Sequence, residues 1–247
     1  MPDNSPKNIA LLGYGSMGRE IEREAPKYGL NVTQIFDVDR PLTRDAQFNF
    51  DVAIDFSTAE AVATNARLLA LRNIPIVVGT TGWLGWSEEV FDIINNSNSA
   101  LIYGSNFSIG MQLFFKIAER AAELFSKADG YDVLIHELHH KRKKDAPSGT
   151  ALKLAEIIQE SFKKKTETLI DSPIGAIEPT ALHVTPSRGG EFPGTHTVYF
   201  DSSADTIELV HRARNRSGFA AGALVAAKWI CGRKGVWTFE EMLDNMF

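Results

Sequence analysis

The sequence lacks several features that would place it in a specialised class of protein. Cys231 is its one cysteine, which excludes an internal disulfide and a zinc site built from several cysteines. No stretch approaches the ~18 uninterrupted apolar residues of a membrane span, and the first residues lack the basic and apolar regions of a secretory signal. With 26 Lys and Arg against 31 Asp and Glu, there is no basic excess of the kind that drives non-specific nucleic-acid binding. We therefore expect a soluble cytoplasmic protein that binds neither membranes nor nucleic acid.

The composition is otherwise that of an ordinary globular protein. Apolar residues make up 44% of the chain and charged residues 23%, and these proportions exclude wholesale disorder and fibrous repeats. At roughly 150 residues per domain, a length of 247 residues predicts one or two domains whose core needs no disulfide to stabilise it.

Short apolar runs alternate with helical segments in the first 110 residues. Strands are predicted at residues 8–12, 32–36, 51–56, 74–78 and 101–103. Helices are predicted from Arg19 to the interruption at Pro26 and again at 59–71. Such alternation is typical of a parallel sheet with helices on both faces. An alanine-rich helical run at 219–230 is expected to return and cover the same sheet.

The pattern changes after Gly110, where a second unit is expected to begin. Apolar residues recur at helical spacing from Leu113 to Phe125. A strand at 131–140 and a helix at about 150–162 follow, and a hairpin loop at 201–205 joins two more strands at 195–200 and 206–212.

The run Gly13-Tyr-Gly-Ser-Met-Gly18 has G-x-G-x-x-G spacing, directly after a predicted strand and at the start of a helix. Glycines there allow a tight turn and the close approach of a pyrophosphate to backbone N–H groups. Asp37 lies 19 residues beyond Gly18, where a carboxylate accepts hydrogen bonds from the adenosine ribose. Asp39 competes for this role, and Arg40 could meet a 2′-phosphate, so the choice between NADH and NADPH stays open. The alternative is a glycine-rich turn with a purely structural role.

Two further turns follow predicted strands and are expected at the same edge of the sheet. They are Gly79-Thr80-Thr81-Gly82 and Gly104-Ser105-Asn106-Phe107. Open α/β sheets bind ligands at the carboxyl ends of their strands, so we expect both turns to contact the cofactor. Plain connections between strand and helix are the alternative.

The most informative segment extends from Glu137 to Thr150 and contains two adjacent histidines and four consecutive cations. Because side chains alternate along a strand, His139 and His140 should face opposite sides and have different tasks. No metal is expected, since the segment has neither a cysteine partner nor an H-E-x-x-H helix. Most of the cations at 141–144 are expected to be solvated, with a nucleic-acid patch as the alternative.

Lys143 differs from its neighbours because it introduces the loop that leads to Ser148-Gly149-Thr150 at a predicted helix start. Exposed N–H groups at such a terminus bind an anion such as a carboxylate, and Gly149 leaves room for it. A small dicarboxylate would suit this site. The imidazoles and the ammonium group would hold its charge and supply a proton as hydride arrives from the other domain.

Together these motifs closely resemble the dihydrodipicolinate reductase family, also called 4-hydroxy-tetrahydrodipicolinate reductase. The resemblance extends over nearly the whole chain and includes 13–18, 55–57, 79–82, 106–110, 137–151, 188–190, 194–198 and 215–220. It implies an α/β fold in which residues 1–108 and 219–247 form a Rossmann-type dinucleotide-binding domain. Residues 109–218 would form an α+β domain with a mixed or antiparallel sheet, which binds substrate and mediates assembly of a homotetramer.

The resemblance also implies an activity and its residues. The reaction would be reduction of a small cyclic dicarboxylate by NADH or NADPH in lysine biosynthesis, giving tetrahydrodipicolinate with loss of water. His139 matches the proton donor and Lys143 the catalytic cation, and the substrate-binding positions match His140, Gly149 and Thr150. The cofactor-binding positions match Gly13, Tyr14, Gly15, Ser16, Met17, Gly18, Asp37, Gly79, Thr80, Thr81, Gly104, Ser105, Asn106 and Phe107.

Two other functions are alternatives. One is a different Rossmann-type reductase that acts on a small amino or imino acid, and the other is a non-catalytic nucleotide sensor with a basic docking segment. A docking segment has no need of the Asp-Ala-Pro-Ser-Gly-Thr run after the cations, which favours an enzyme. Direct ligand roles for Arg188 and Arg216 stay open, and His183, His196 and His211 are interpreted as satisfied sheet positions.

Overall fold

Residues 6–170 and 173–247 are described by a computed structural model. They form two units. Unit 1 comprises the described residues up to Ile109 together with Arg216–Phe247, and unit 2 comprises Gly110–Asn215 without the two undescribed positions. The helices and strands, in chain order, are β1 (Asn8–Leu12), α1 (Ser16–Glu24), β2 (Asn31–Phe36), β3 (Val52–Asp55), α2 (Ala59–Ala70), β4 (Ile76–Val78), α3 (Ser87–Asn95), β5 (Ala100–Tyr103), α4 (Ile109–Phe125), β6 (Asp132–His139), α5 (Gly149–Ser161), β7 (Glu167–Leu169), β8 (Ala181–Arg188), β9 (Thr195–Asp201), β10 (Thr206–Arg212), α6 (Ser217–Ile230), β11 (Gly235–Thr238) and α7 (Phe239–Asp244).

Unit 1 contains a six-stranded parallel sheet in the order β11-β5-β4-β3-β1-β2. Side chains alternate across it, so that Leu11 and Ile54 pack with α1, α6 and α7, whereas Leu12 and Val78 pack with α2 and α3. Full burial of each such aliphatic side chain stabilises the fold by about 1.5–3 kcal/mol. The predicted parallel sheet with helices on both faces, and the return of α6 to cover it, are confirmed.

Unit 2 contains a five-stranded mixed sheet in the order β10-β9-β6-β8-β7. β6, β8 and β7 are parallel, and β9 pairs antiparallel with β6 on one side and, through the predicted hairpin, with β10 on the other. Ile135 and Phe200 on one face pack with Phe114 of α4 and with Leu154 and Ile158 of α5. The second sheet is therefore mixed, which decides between the two alternatives that the sequence left open.

Some short elements have no counterpart in the prediction. Helices α3 and α7 have nine and six residues, and strands β7 and β11 have three and four. Runs of this length span too few periods to give a clear hydrophobic pattern. None of the helices in the described part of the chain combines the length and the hydrophobicity that crossing a bilayer requires.

Candidate functional site

The first glycine turn of unit 1 directly follows β1. Gly13 has φ +90°, and a Cβ added to it would overlap the carbonyl of Phe56, so no other residue fits this position without a shift. Its N–H donates to the carbonyl oxygen of Phe36 at 2.8 Å, which ties the turn to the end of β2. The turn is thereby fixed between the ends of two neighbouring strands.

Space is open above the second glycine of this turn. Gly15 occupies the N-cap position of α1, and a Cβ added there would have no protein atom within 4 Å. No side chain caps this helix, so the first N–H groups of α1 are left for another acceptor. Ser16 is exposed, Met17 is half-buried, and the hydroxyl of Tyr14 donates to Glu22. An exposed helix start under open space fits the pyrophosphate of a dinucleotide.

Asp37 lies one residue beyond the end of β2 and is exposed. Its Oδ1 accepts a 2.9 Å hydrogen bond from the N–H of Val38, and its backbone pairs with that of Arg40. The guanidinium of Arg40 donates back to the carbonyl oxygen of Ile35 at 2.5 Å. Asp37 therefore presents a carboxylate at the strand end, while Arg40 is held along β2.

Asp55, at the end of β3, organises the turn that follows β4. Its carboxylate is fully buried and accepts hydrogen bonds from Ser57, from Asn65 and from the hydroxyl of Thr80 at 2.9 Å. Burial raises the pKa of Asp55 although these hydrogen bonds act in the opposite direction. The side chain of Thr80 thus donates to Asp55 at the end of β3, and this hydrogen bond fixes the turn that starts at Gly79.

The turn after β5 is anchored by aromatic packing. Phe107 is 2% exposed, and its ring centroid lies 4.5 Å from that of Phe239. Its side chain is therefore part of the core, so a ligand can meet Phe107 only through its backbone. Gly104 begins this turn directly after β5, and the side chain of Asn106 accepts from the N–H of Ser108. The small hydroxyls of both turns that remain exposed are those of Thr81 and Ser105.

Unit 2 has a second polar centre around Glu137, which is fully buried near the end of β6. Its Oε1 accepts from the N–H of Ser148 at 3.0 Å and from Nη2 of Arg188 at 2.7 Å, and its Oε2 accepts from the hydroxyl of Ser148. Ser148 is also the N-cap of α5, where its Oγ accepts from the N–H of Ala151. Burial opposes ionisation of Glu137, but hydrogen bonds from His139, His196, Ser148 and Arg188 outweigh it and hold the pKa well below its usual range.

Two histidines complete this centre. Nδ1 of His139 lies 3.4 Å from Oε2 of Glu137, and Nε2 of His196 lies 3.6 Å from the same oxygen. Burial lowers the pKa of His196, and the positive charges of His139 and Lys143 act in the same direction, against the raising effect of Glu137. His196 occupies a sheet position in β9, as predicted, but it is not fully satisfied: its Nε2 faces Glu137, whereas its Nδ1 has no partner among the described residues.

The same three side chains have the spacing of a metal site. Ligand atoms of Glu137, His139 and His196 all lie within 4.8 Å of one another. The carboxylate, however, already accepts hydrogen bonds from Ser148 and from the guanidinium cation of Arg188. A second cation beside Arg188 would be repelled by it. We therefore interpret the group as a hydrogen-bond network.

The remaining predicted residues of unit 2 lie along the loop from β6 to α5. His140 is half-buried, and its carbonyl accepts from the N–H of Lys143. The ammonium of Lys143 is paired with Asp145 at 2.8 Å and is 23% exposed, and this hydrogen bond lowers the pKa of Asp145. Gly149 and Thr150 begin α5, and a Cβ added to Gly149 would meet no atom within 4 Å. The neighbouring cations of 141 and 144 are exposed, as predicted.

Arg188 and Arg216, whose ligand roles the sequence left undecided, lie in different units. Arg188 spans from Glu137 to the carbonyl oxygen of Asp145, so it links β8, β6 and the loop. Arg216 is exposed in unit 1, at the N-cap position of α6. Only strand pairing brings Arg188 and His196 to Glu137, since β8 and β9 flank β6. No local motif could have signalled this.

Comparisons with known proteins agree over the whole chain. Two family models match: "Dihydrodipicolinate reductase, N-terminus" covers residues 7–107, and "Dihydrodipicolinate reductase, C-terminus" covers residues 110–243. The 4-hydroxy-tetrahydrodipicolinate reductase of Christiangramia forsetii is 38% identical, over 97% of this chain and 99% of that protein. The protein of the same name from Archaeoglobus fulgidus is 37% identical, over 96% and 99%. The solved structure of a dipicolinate-bound dihydrodipicolinate reductase from Paenisporosarcina sp. TG-14 shares the fold, with a TM-score of 0.76, 23% identity, and coverage of 95% of this chain and 98% of that one.

Proposed function

Because the chain belongs to the dihydrodipicolinate reductase family, we propose that it reduces 4-hydroxy-tetrahydrodipicolinate to tetrahydrodipicolinate in lysine biosynthesis. The observation that carries this proposal is the buried Glu137, which joins His139 to the N-terminus of α5. In that arrangement an acid–base group and an anion-binding turn both contact the same carboxylate. It suits a substrate that is both a carboxylate and a proton acceptor.

The chemistry sets what this site must do. Each turnover adds one hydride and one proton and releases the 4-hydroxyl group as water, while both carboxylates of the substrate are retained. Bound NADH or NADPH supplies the hydride. The protein must therefore neutralise two carboxylates and deliver one proton.

The residues of unit 1 fit the dinucleotide. The pyrophosphate would lie over Gly15 and the uncapped start of α1, where a side chain is absent and the backbone N–H groups are unshared. The turns at 79–81 and 104–107 would border the cofactor at the carboxyl edge of the sheet. Unit 1 would thus hold and orient the hydride donor.

We assign NADH as the preferred cofactor. The carboxylate of Asp37 would accept hydrogen bonds from the ribose hydroxyls and would repel a 2′-phosphate. Arg40, the cation that would attract that phosphate, is bonded to the carbonyl oxygen of Ile35. An NAD(P)H-dependent enzyme of this kind draws on the cofactor pool of the cytoplasm, which is where we place it.

In unit 2, His139 supplies the proton. Its Nδ1 faces Glu137, which leaves Nε2 as the nitrogen that exchanges a proton with substrate or water. Lys143 neutralises charge on the substrate, and the N–H groups of Gly149 and Thr150 bind a carboxylate at the start of α5. His140 lies in the same loop and contributes a further polar contact.

We also propose that the protein is a homotetramer that associates through the sheet of unit 2. Helices α4 and α5 cover one face of that sheet, while Leu134 alternates to the opposite face and is 38% exposed. Leu138, Tyr199 and Val210 are on that opposite face and are only half-buried. Apolar residues on an open sheet face favour a contact between copies.

A substrate-dependence assay tests the function. The purified protein is given NADH or NADPH with enzymatically generated 4-hydroxy-tetrahydrodipicolinate, and nucleotide oxidation is followed. We expect oxidation that requires the cyclic substrate and is faster with NADH. Oxidation with an α-keto acid and ammonia instead would indicate an amino-acid dehydrogenase, and nucleotide binding without turnover would indicate a sensor.

A further inference from the structure

We propose that Glu137 is a positioning residue that holds the proton donor His139 and the carboxylate-binding turn at Ser148 in a fixed relation to each other. This inference rests on the proposed function. It gives the carboxylate of Glu137 two separate tasks.

The first task is to fix the start of α5. Glu137 precedes Ser148 by 11 residues, and the loop between them has no secondary structure. Its carboxylate accepts from both the N–H and the hydroxyl of Ser148, so that one side chain of β6 determines where the helix begins. Hydrogen bonds to an ionised acceptor are about twice as strong as those between neutral groups. The anion-binding N–H groups of Gly149 and Thr150 therefore have a defined position relative to β6.

The second task is to orient His139. His139 lies two positions after Glu137 along β6, with Leu138 between them, so both side chains lie on the same face of the sheet. Nδ1 of His139 is buried at an ion-pair distance of 3.4 Å from Oε2 of Glu137, and it forms no hydrogen bond with any of the described residues. A carboxylate at this nitrogen favours the tautomer with its proton on Nδ1 and stabilises the imidazolium ion. Nε2 is then the nitrogen that gives up the proton.

The other charged groups around Glu137 leave this interaction intact. Arg188 on β8 bonds to Oε1, away from His139, and helps keep the carboxylate ionised. His196 on β9 shares Oε2, but burial favours its neutral form, so it does not compete as a cation. Lys143 in the loop is paired with Asp145, and His211 lies beyond His196 on β10. Oε2 therefore accepts from the hydroxyl of Ser148 and also faces Nδ1 of His139.

A structural role alone would not require this arrangement. Ser148 caps α5 through its own Oγ, which accepts from Ala151 whether or not a carboxylate is present. A fully buried carboxylate is costly unless it is paired and hydrogen-bonded. The proposed reaction explains why the charge lies between His139 and the turn at Ser148, because it requires both groups to be held in position.

The test is the pH dependence of Glu137→Gln, which keeps the shape and removes the charge. The amide oxygen still accepts from Ser148 and Arg188, while the amide NH₂ faces Nδ1 of His139. We expect kcat to fall by roughly 10- to 100-fold, which is the lower part of the range for loss of acid–base catalysis. We also expect the alkaline limb of the kcat profile to move to lower pH, with little change in the Kd for NADH. Glu156→Gln, the same change at an exposed site of α5, should retain the wild-type profile.

Glu137→Asp separates the two tasks. It retains the charge but is one methylene shorter, so it should restore the alkaline limb but raise the KM for substrate above that of the wild type. An unchanged pH profile in Glu137→Gln, or a loss of kcat, NADH affinity and Tm in parallel in both variants, would overturn the positioning role. Both results require an active wild-type enzyme, so they are distinct from a failure of the proposed function, in which the wild type itself would not turn over the substrate.

Discussion

Gly194 packs directly against the imidazole of His139, and a Cβ added to it would lie 2.9 Å from Nε2. Its φ of +151° is also a conformation that favours glycine. The residue before β9 therefore lies against Nε2 of His139, the nitrogen that we propose exchanges the proton, and there is no room for a side chain at this position.

Gly194→Ala should displace the His139 ring and lower kcat by about 10-fold or more, because the proton donor would leave its productive position. The matched control is Gly189→Ala, since a Cβ at that position would meet no atom within 4 Å. Steady-state kinetics and thermal melting of both variants check this. Equal kcat values in the two variants would contradict the role of Gly194.

Lys143→Ala should lower turnover by on the order of 10²-fold, since it removes the cation that we propose stabilises charge on the substrate. Affinity for NADH, which we propose that unit 1 binds, should stay nearly unchanged. Lys144→Ala, which alters an exposed neighbour, is the control and should have wild-type turnover. Unchanged turnover in Lys143→Ala would remove this lysine from the mechanism.

Gly15→Val, in contrast to Lys143→Ala, should weaken the binding of NADH. The added side chain would occupy the space that the pyrophosphate needs, and we expect the Kd for NADH to rise by about 10-fold or more. The fold has room for it, because no protein atom lies within 4 Å of the added Cβ. Gly85→Val, an equally open glycine elsewhere in unit 1, should bind NADH normally. Fluorescence titration with NADH measures both, and normal binding by Gly15→Val would contradict the assignment of the turn.

Asp37→Ser should shift cofactor preference toward NADPH, because it removes the carboxylate that we propose repels a 2′-phosphate. We expect the ratio of kcat/KM for NADH to that for NADPH to fall by roughly 10-fold, or about 1.4 kcal/mol. Asp39→Ser tests the competing aspartate and should leave the ratio unchanged. If Asp39→Ser shifts the ratio and Asp37→Ser does not, the ribose contact belongs to Asp39.

The loss of folding stability at acid pH should depend on Glu137. Its pKa in the folded protein is lowered, so the stability that it contributes is present above its ordinary value of 4.5 and is lost as pH falls below that value. Because the glutamine variant has no proton to gain there, the Tm difference between wild type and Glu137→Gln should shrink as pH falls from neutrality to ~3. Melting curves across this pH range measure the difference. A constant difference would mean that the pKa of Glu137 is the same in the folded and the unfolded protein.

Local sequence patterns were sufficient for much of the fold and for part of the site. The turn at Gly13 is predictable because a short apolar run, three glycines and a helix follow one another within one segment. The helix α7 was missed although Thr238 and Glu241 form a capping box, a signal that the sequence does contain. The strand β11 was missed because its four half-buried residues are defined only by pairing with β5.

The buried half of the site could not be predicted in this way. His139 and Lys143 stand in one continuous motif, whereas His196 joins them through the pairing of β9 with β6 and Arg188 through the pairing of β8 with β6. Those contacts join residues about 50 positions apart in the chain. Asp55 was noted only as part of a motif, and its role as the acceptor for Thr80 depends on the neighbouring strands β3 and β4.

Transfer of isotope from labelled cofactor tests the central claim most directly. The protein is incubated with NADH that carries deuterium at the transferable position and with enzymatically generated 4-hydroxy-tetrahydrodipicolinate, and the product is examined by mass spectrometry. We predict tetrahydrodipicolinate that contains one deuterium and has lost the 4-hydroxyl oxygen, and no such product from Lys143→Ala in the same time. An active preparation that oxidises NADH without placing deuterium in this product would contradict the account.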